Sequence, residues 1–473
     1  MVGEPGGQVR IDTQIKPKSV TSARTQALLV GAIGPTLAKL ALPNMLVALT
    51  QAAVAVADAW FVGHLGVTAL ASLALVFPVQ SMMQMMSSGA MGGGISSAVA
   101  RALGAGDTAR AERITVHALI IAAGMACLFT IMFAVFARPL FALLGGRAAA
   151  LDGAVAYARI LFGGAFAVWC ANTLASLLRG SGNTALPGVV FSTIAVLNIG
   201  LSGMLTLGWL GAPKLGVIGP AVASLVSFAL AASAMFAYLA SGRGSVPLHL
   251  TGVALERRIF MDILRVGAVA CGNTILTIST VLIATALVGR YGTAALAGYG
   301  LGSRLELLLV PITFGVGGAM TAMVGTNRGA GQHERARRIA WTGSLTVFAI
   351  VGLIGLVVAL QPDLWIGLFT TSDEAAVVAR QYFLIVGPCF AFFGLGQSLY
   401  FATQGTGNMT APFLAGVARL LVAGGGGAIL AVGLGAPLHS VFAAVAVGLV
   451  VFGCLMALSL LRGRNWNPEA AVL

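Results

Sequence analysis

The chain has 473 residues, of which 58% are hydrophobic and 9% charged, and its 27 Lys and Arg against 14 Asp and Glu give a net charge of +13. Soluble globular proteins are about 45–50% apolar and about 25% charged, and a soluble chain of this length would divide into about three domains, each needing a polar shell. No such shell is available, which excludes a soluble enzyme, a soluble nucleic-acid binder and a disordered scaffold, and places the chain in a bilayer.

Residues 1–30 mix Gly, Pro, Ser and charges without a positive-then-apolar signal-peptide design. They read as a cytoplasmic tail, disordered or lying on the surface, and the first span is expected to stay in the mature protein. Twelve stretches long enough to cross the hydrocarbon as helices follow: 35–58, 68–97, 115–137, 155–178, 184–208, 215–240, 266–288, 299–326, 339–360, 380–403, 410–432 and 437–460. They are continuous and rich in Ala, Leu, Val and Gly, unlike the short alternating strands of an outer-membrane barrel. The 63 glycines suit close helix–helix approach. The expected fold class is therefore all-α integral membrane. Five cysteines (Cys127, Cys170, Cys271, Cys389, Cys454) fall in apolar stretches without paired spacing, so neither a disulfide framework nor a metal site is indicated.

Lys and Arg set the orientation. Twelve spans put both chain ends on one side, and that side holds eighteen loop Lys and Arg, Arg101, Arg110, Arg113, Arg179 and Arg328 among them, against four on the other. Both termini are therefore expected in the cytoplasm, as a multi-pass protein of the cytoplasmic (inner) membrane. The positive charge is a topology signal and calls for no nucleic-acid partner.

The sequence repeats itself. Gly104-Ala105-Gly106-Asp107 returns as Gly329-Ala330-Gly331-Gln332, Gly63-His64-Leu65-Gly66 as Gly289-Arg290-Tyr291-Gly292, and Gly180-Ser181-Gly182-Asn183 as Gly405-Thr406-Gly407-Asn408. All three matches lie at an offset of 225–226 residues and in the same order. Each half carries six spans, an even number, so the halves form a parallel repeat about an axis along the membrane normal. The expected organisation is a six-helix lobe over 31–240, a cytoplasmic linker over 241–265, a second lobe over 266–461 and a tail over 462–473. Two such pseudo-symmetric bundles enclose a central cleft and can rock about it, the architecture of a secondary transporter. No GxxxxGK phosphate-binding sequence occurs.

Among charges at membrane depth, Asp58, Arg304 and Glu306 stand out. Asp58 follows eighteen charge-free residues at the far end of the first span. An ionisable group at depth costs a few kcal/mol and usually faces a cavity or partner. Desolvation penalises a carboxylate's charged form, which suits such an acid to taking up and releasing a proton. The other reading, that Asp58 has emerged to cap the outer loop, is less favoured. At the repeat offset Asp58 falls on Ala284, so the fold does not need a carboxylate there. Arg304 and Glu306, two residues apart, do not face each other on a helix. A snorkelling membrane-edge cluster and a role in the cleft are equally open for them.

Neutral polar residues form the next layer. Gln51 lies two turns before Asp58 on one helix face, and Tyr157, Asn172, Asn198, Gln397 and Gln404 lie within spans or at their edges, where such groups more often tie helices together. Pro43 permits a bend in the first span. The five histidines are scattered without HExxH, Gly92-Gly93-Gly94 reads as close packing, and the methionines, Met82, Met83, Met85 and Met86 among them, read as core filler, with a Met-lined drug cleft as the minority reading.

Leu42-Pro43, then Val56-Ala57-Asp58-Ala59-Trp60-Phe61-Val62-Gly63-His64-Leu65-Gly66, then Ala102-Leu103-Gly104-Ala105-Gly106-Asp107 and Leu178-Arg179-Gly180-Ser181-Gly182-Asn183, an ordered set with its repeat in the second half, resemble the multidrug and toxic compound extrusion (MATE) family over about residues 30–460. The resemblance implies a twelve-helix exporter of cationic, amphipathic compounds driven by inward proton or sodium flow. Within the prokaryotic DinF-like branch it implies ion coupling at Asp58, accompanied by Gln51, Tyr157 and Asn198, with the helix bend at Pro43. The chain departs from that branch at Ala175, where Asn is usual, and at Ser202, where a second Asp is usual, so the network around Asp58 is expected to be thin. The acidic residue that another branch carries in its tenth helix is absent.

The expected function is secondary antiport by alternating access, exporting organic cations or amphipathic drugs, with H+ and Na+ both open as the ion at Asp58. No other cofactor, no metal and no enzymatic activity are expected, and the carrier is expected to be monomeric. The alternative is a flippase for a lipid-linked precursor, which should show a cationic cavity or extra spans for a phosphate-bearing lipid, and Arg304 is the one residue deep enough to help. No nucleophile–base pair supports an intramembrane enzyme, and a two-lobed monomer supplies no filter ring for a channel.

Overall fold

The computed structural model describes residues 22–244, 254–369, 372–463 and 466. Regular structure among them is helical throughout. A short helix α1 (Ala23–Val30) precedes α2 (Ile33–Gly63), α3 (Val67–Gly104), α4 (Thr108–Leu143), α5 (Ala148–Gly163), α6 (Ala165–Gly180), α7 (Ala185–Leu207) and α8 (Gly216–Ala240). The second half holds α9 (Arg257–Gly289), α10 (Thr293–Gly329), α11 (His333–Leu360), α12 (Asp373–Thr406), α13 (Thr410–Gly433) and α14 (Leu438–Leu461). Eleven of these are long and apolar enough to cross a membrane, and α5 with α6, bent by 49° around Gly164, makes a twelfth. Each expected span has its helix, and most helices run several residues beyond the apolar core into polar termini.

Two boundaries differ from the sequence reading. The stretch 241–265 is not a linker to its end, because α9 begins at Arg257. Charged side chains do not stop a helix that leaves the hydrocarbon, and Asp262 gains partners in the first half: Arg101 Nη2 donates to it at 2.8 Å and Arg110 Nη2 at 2.9 Å. The tail over 1–30 likewise ends in structure. Ser22 caps α1 by accepting from the Thr25 amide at 3.2 Å, and Asn327 Nδ2 donates to the carbonyl of the buried Leu28 at 3.0 Å. The part of the tail over 1–21 lies outside the described residues.

The repeat is visible in the packing. The offset maps α2 onto α9 and α3 onto α10, and the lobes meet through α2 against α10 and α3 against α9, one contact made twice. Gly66 and Gly292, which precede α3 and α10, take the left-handed region with φ of 107° and 106°, where a side chain is strained and glycine is not.

On the side where α2 begins, α3 and α10 cross with almost no space between their backbones. A Cβ on Gly104 would stand 2.0 Å from the Thr326 carbonyl oxygen, and one on Gly329 would stand 2.1 Å from the Arg101 carbonyl oxygen. Positions 101 and 326, like 104 and 329, are related by the repeat, so the crossing sits on the pseudo-twofold axis. Next to it, Ser97 Oγ donates to the Gln404 carbonyl at 2.7 Å, and Gln404 Nε2 donates to the carbonyls of Gly89 and Ala90 at 3.1 Å each. A Cβ on Gly93 would collide with the Gln404 amide, so the glycine triplet serves the close packing expected of it. The two lobes are thus sealed at one face and enclose a cavity beyond it.

Gly104→Ala should break this seal, at a cost of about 1–3 kcal/mol for an overpacked contact. The apparent melting temperature of the detergent-solubilised protein should fall, while Gly124→Ala, whose added methyl meets nothing within 4 Å, should not lower it.

Candidate functional site

Between the lobes lies a cavity of about 370 Å³. Its wall is apolar or carries neutral amides and hydroxyls, apart from two charged side chains, Asp58 and Arg179. The bilayer core offers no water to a polar group, so side chains of this kind gather where helices turn away from lipid.

Asp58 lies five residues before the end of α2 and is 5% exposed, inside the protein and not on an outer loop. Ser202 Oγ, from α7, donates to Asp58 Oδ1 at 2.5 Å. Ser202, read from sequence as the departure that thins the network, is therefore the residue that holds the carboxylate. One turn earlier on α7, Asn198 donates from Nδ2 to Ser227 Oγ at 3.1 Å. Its buried Oδ1 accepts no hydrogen bond among the described residues. Gln51 stands in the same wall two turns before Asp58.

The other expected partners are joined less directly. Tyr157 is fully buried on α5 and donates to Gln80 Oε1 at 3.3 Å, with Gln80 between it and the cavity. Asn172 on α6 lines the cavity and donates to Ser87 Oγ at 3.0 Å and to Gln84 Oε1 at 3.3 Å, a separate set. At Pro43, α2 runs on without interruption, and the ring packs so close to α7 that a Cβ on Gly188 would lie 2.7 Å from its Cβ.

Glu306 and Arg304 form neither the edge cluster nor the cleft site considered from sequence. Their side chains leave α10 in different directions. Arg304 is exposed, with its guanidinium 5.6 Å from the centre of the Phe369 ring, so it cannot supply a cationic cavity. Glu306 turns into the second lobe, accepts a hydrogen bond from the Tyr382 hydroxyl and interacts electrostatically with Arg419 on α13. Neither lines the cavity.

Sequence reasoning missed the two guanidinium groups buried at depth. Arg419 is 7% exposed and lies between the rings of Phe393 and Phe452, at 5.9 and 5.8 Å. Its position nine residues into an apolar stretch was the available signal. Arg179 was counted with the loop charges because it follows Leu178 at the end of a span. It is in fact 6% exposed and faces the cavity, since the last turn of α6 is covered by the opposite lobe.

Twelve helices in two repeated lobes, sealed at one face around a cavity with a buried acid in its wall, define a membrane carrier. Comparison with known proteins agrees. The MatE family model matches residues 43–204 and again 270–425, the two halves of the repeat. The chain belongs to the MATE family, whose members are transporters and not enzymes. It is 27% identical to an FAD transporter of Shewanella oneidensis over 80% of this chain and 82% of the relative. It is 26% identical to a probable multidrug resistance protein, NorM, of Thermotoga maritima over 80% of this chain and 81% of the relative. Among solved structures it superimposes on the outward-facing conformation of a multidrug resistance MATE family transporter with a TM-score of 0.83, 25% identity and coverage of 94% of this chain and 98% of that one. It also matches a MOP superfamily transporter from Pyrococcus furiosus, described as having a binding pocket of reversed polarity, with a TM-score of 0.86, 24% identity, and 94% and 98% coverage.

A double-mutant cycle with Asp58→Asn and Ser202→Ala, followed by unfolding in SDS, should give a coupling of about 1.5–3 kcal/mol, the usual worth of a hydrogen bond to a charged group. Additive effects would mean that the two side chains act independently.

Proposed function

We propose that the protein is a secondary active exporter of amphipathic small molecules in the cytoplasmic membrane, working as a monomer with both termini in the cytoplasm and driven by inward flow of H+ or Na+ through Asp58. The observation that carries this reading is one buried carboxylate, held by Ser202 in the wall of the central cavity, on a scaffold whose repeat places Ala284 at the equivalent position. Export is supported by the relatives described as probable multidrug resistance proteins, and transport across the membrane by the relative described as an FAD transporter.

The loop charges support a cytoplasmic placement of the sealed face, and with it a cavity that faces outward. In that state Asp58 takes up a cation, either as the protonated acid or as sodium with Ser202 Oγ and the unpaired Asn198 Oδ1 as further oxygen ligands. Neutralising the carboxylate changes what Ser202 and α2 hold in place, and α2 is one of the helices on which the lobes meet. Breaking the seal at Gly104 and Gly329 then opens the cavity to the other side, where the ion leaves and new substrate enters. An ion that binds one state better than the other is what shifts such an equilibrium.

The test is efflux from proteoliposomes of the full-length protein under separately imposed pH and sodium gradients, read with ethidium. A coupling free energy of about 1–3 kcal/mol corresponds to about 5- to 150-fold, and Asp58→Asn should lose gradient-driven efflux by a factor in that range. Undiminished efflux by Asp58→Asn under both gradients would refute the assignment.

A further inference from the structure

At its inner end the central cavity presents the guanidinium of Arg179. The side chain is 6% exposed, yet its one hydrogen bond among the described residues runs from Nη2 to Ser176 Oγ at 3.1 Å. A guanidinium has five N–H donors and needs acceptors for them. Among the described residues no carboxylate forms an ion pair with Arg179. The other charge in the wall, Asp58, is occupied by Ser202.

The surroundings of Arg179 come from the opposite lobe. Its Cζ stands 5.8 Å from the centre of the Phe314 ring of α10, and Phe314 meets Phe401 of α12 edge to face, with ring centroids 5.7 Å apart. Both rings line the cavity, and Asn172 and Ser88 add neutral polar groups beside them. A cationic fork over one aromatic ring, with a second ring edge to face against the first, matches a planar aromatic body that carries a phosphate or carboxylate.

The repeat shows that the fold does not require this cation. Position 179 corresponds to 404, and there the second lobe has a glutamine, at the same kind of helix end and with its amide donating to backbone carbonyls. Arginine stands at one of two equivalent positions and is turned into the cavity, while its counterpart is turned into the seal. It also lies where recognition can report on conformation, because the guanidinium belongs to one lobe and the rings to the other, and rocking the lobes changes their separation.

We infer that Arg179 forms, with Phe314 and Phe401, an anion subsite that adds aromatic amphipaths bearing a phosphate or carboxylate to the substrates of this carrier. This rests on the exporter reading above for its direction of transport, but the subsite can be tested by binding alone. A phosphate on an apolar body could also belong to a lipid headgroup. The soluble aromatic anion is the occupant favoured here, because two rings stand beside the guanidinium.

The experiment measures binding of riboflavin 5′-phosphate and riboflavin, which share a ring system and differ in the phosphate, to the full-length protein in neutral detergent by flavin fluorescence. Wild-type protein should prefer the phosphate form by at least about tenfold, the scale of a buried charged hydrogen bond. Arg179→Gln, which borrows the residue of the equivalent position, should abolish that preference while binding of riboflavin itself stays nearly unchanged. Arg179→Lys should retain part of the preference, which a purely structural role would not produce. Equal binding of the two flavins by wild-type protein, or a preference that survives Arg179→Gln, would overturn the inference. So would displacement of riboflavin 5′-phosphate by lower concentrations of dihexanoyl phosphatidic acid, which would assign the site to a lipid headgroup. Ethidium efflux that still depends on Asp58 in the same preparation would leave the exporter reading standing when the anion subsite fails. Flavin binding without any coupled efflux would do the reverse.

Discussion

Hydrocarbon satisfies no hydrogen bond and solvates no charge, so an ionisable side chain at membrane depth either reaches for the membrane edge or is turned inward and given something to hold. Asp58 receives the hydroxyl of Ser202, Glu306 that of Tyr382, and Arg419 the faces of two aromatic rings. Arg179 has one serine and the edge of an aromatic pair. The groups that face the cavity are the ones least completely satisfied from within the protein, and that separates a carrier's working residues from those that tie its helices together. Glu306 and Arg419 fall in the second class: they sit behind the cavity wall and compensate each other inside one lobe.

The second constraint is closure. A carrier must seal one face while the other is open, and a seal between helices needs backbones in contact, since side chains of any length would hold them apart. The crossing of α3 and α10 uses glycine on both helices and, by the repeat, makes the same contact twice across one axis. The ion pairs from Arg101 and Arg110 to Asp262 lie at the margin of this crossing, a little over a quarter exposed at the carboxylate. Pairs so exposed add little energy. They join the start of α9 to the opposite lobe. A contact made of close-packed glycines is lost all at once when the helices separate, which suits two discrete states better than a continuous range of them.

Asp58 is the one acid in the cavity wall, on a scaffold whose repeat has Ala284 at the equivalent position. In the exporter reading proposed above, the repeat supplies two equivalent lobes for rocking, and the break in equivalence at position 58 would give one lobe a site that responds to an ion. Arg179 breaks it a second time, at position 404 of the other lobe, and in the opposite sense of charge. The wall thus carries one acidic and one basic side chain from the same lobe, on different helices.

Much of this was legible in the chain. Apolar length decides which segments cross the membrane, and the twelve stretches located their helices because a span cannot hide its composition. The offset of 225–226 residues fixed the parallel pseudo-symmetry, since similar sequence must pack similarly, and the lone acid at position 58 announced itself by the cost of placing it there. What required the tertiary structure was direction. Whether Ser202 or Tyr157 meets Asp58, whether Glu306 looks into the cavity or away from it, and whether Arg179 ends a helix in water or beneath the opposite lobe depend on rotation about helix axes and on contacts between residues more than a hundred positions apart. Hydropathy along the chain averages over exactly those angles, and so a charge at the end of a span looked like a loop residue until the facing lobe was seen to cover it.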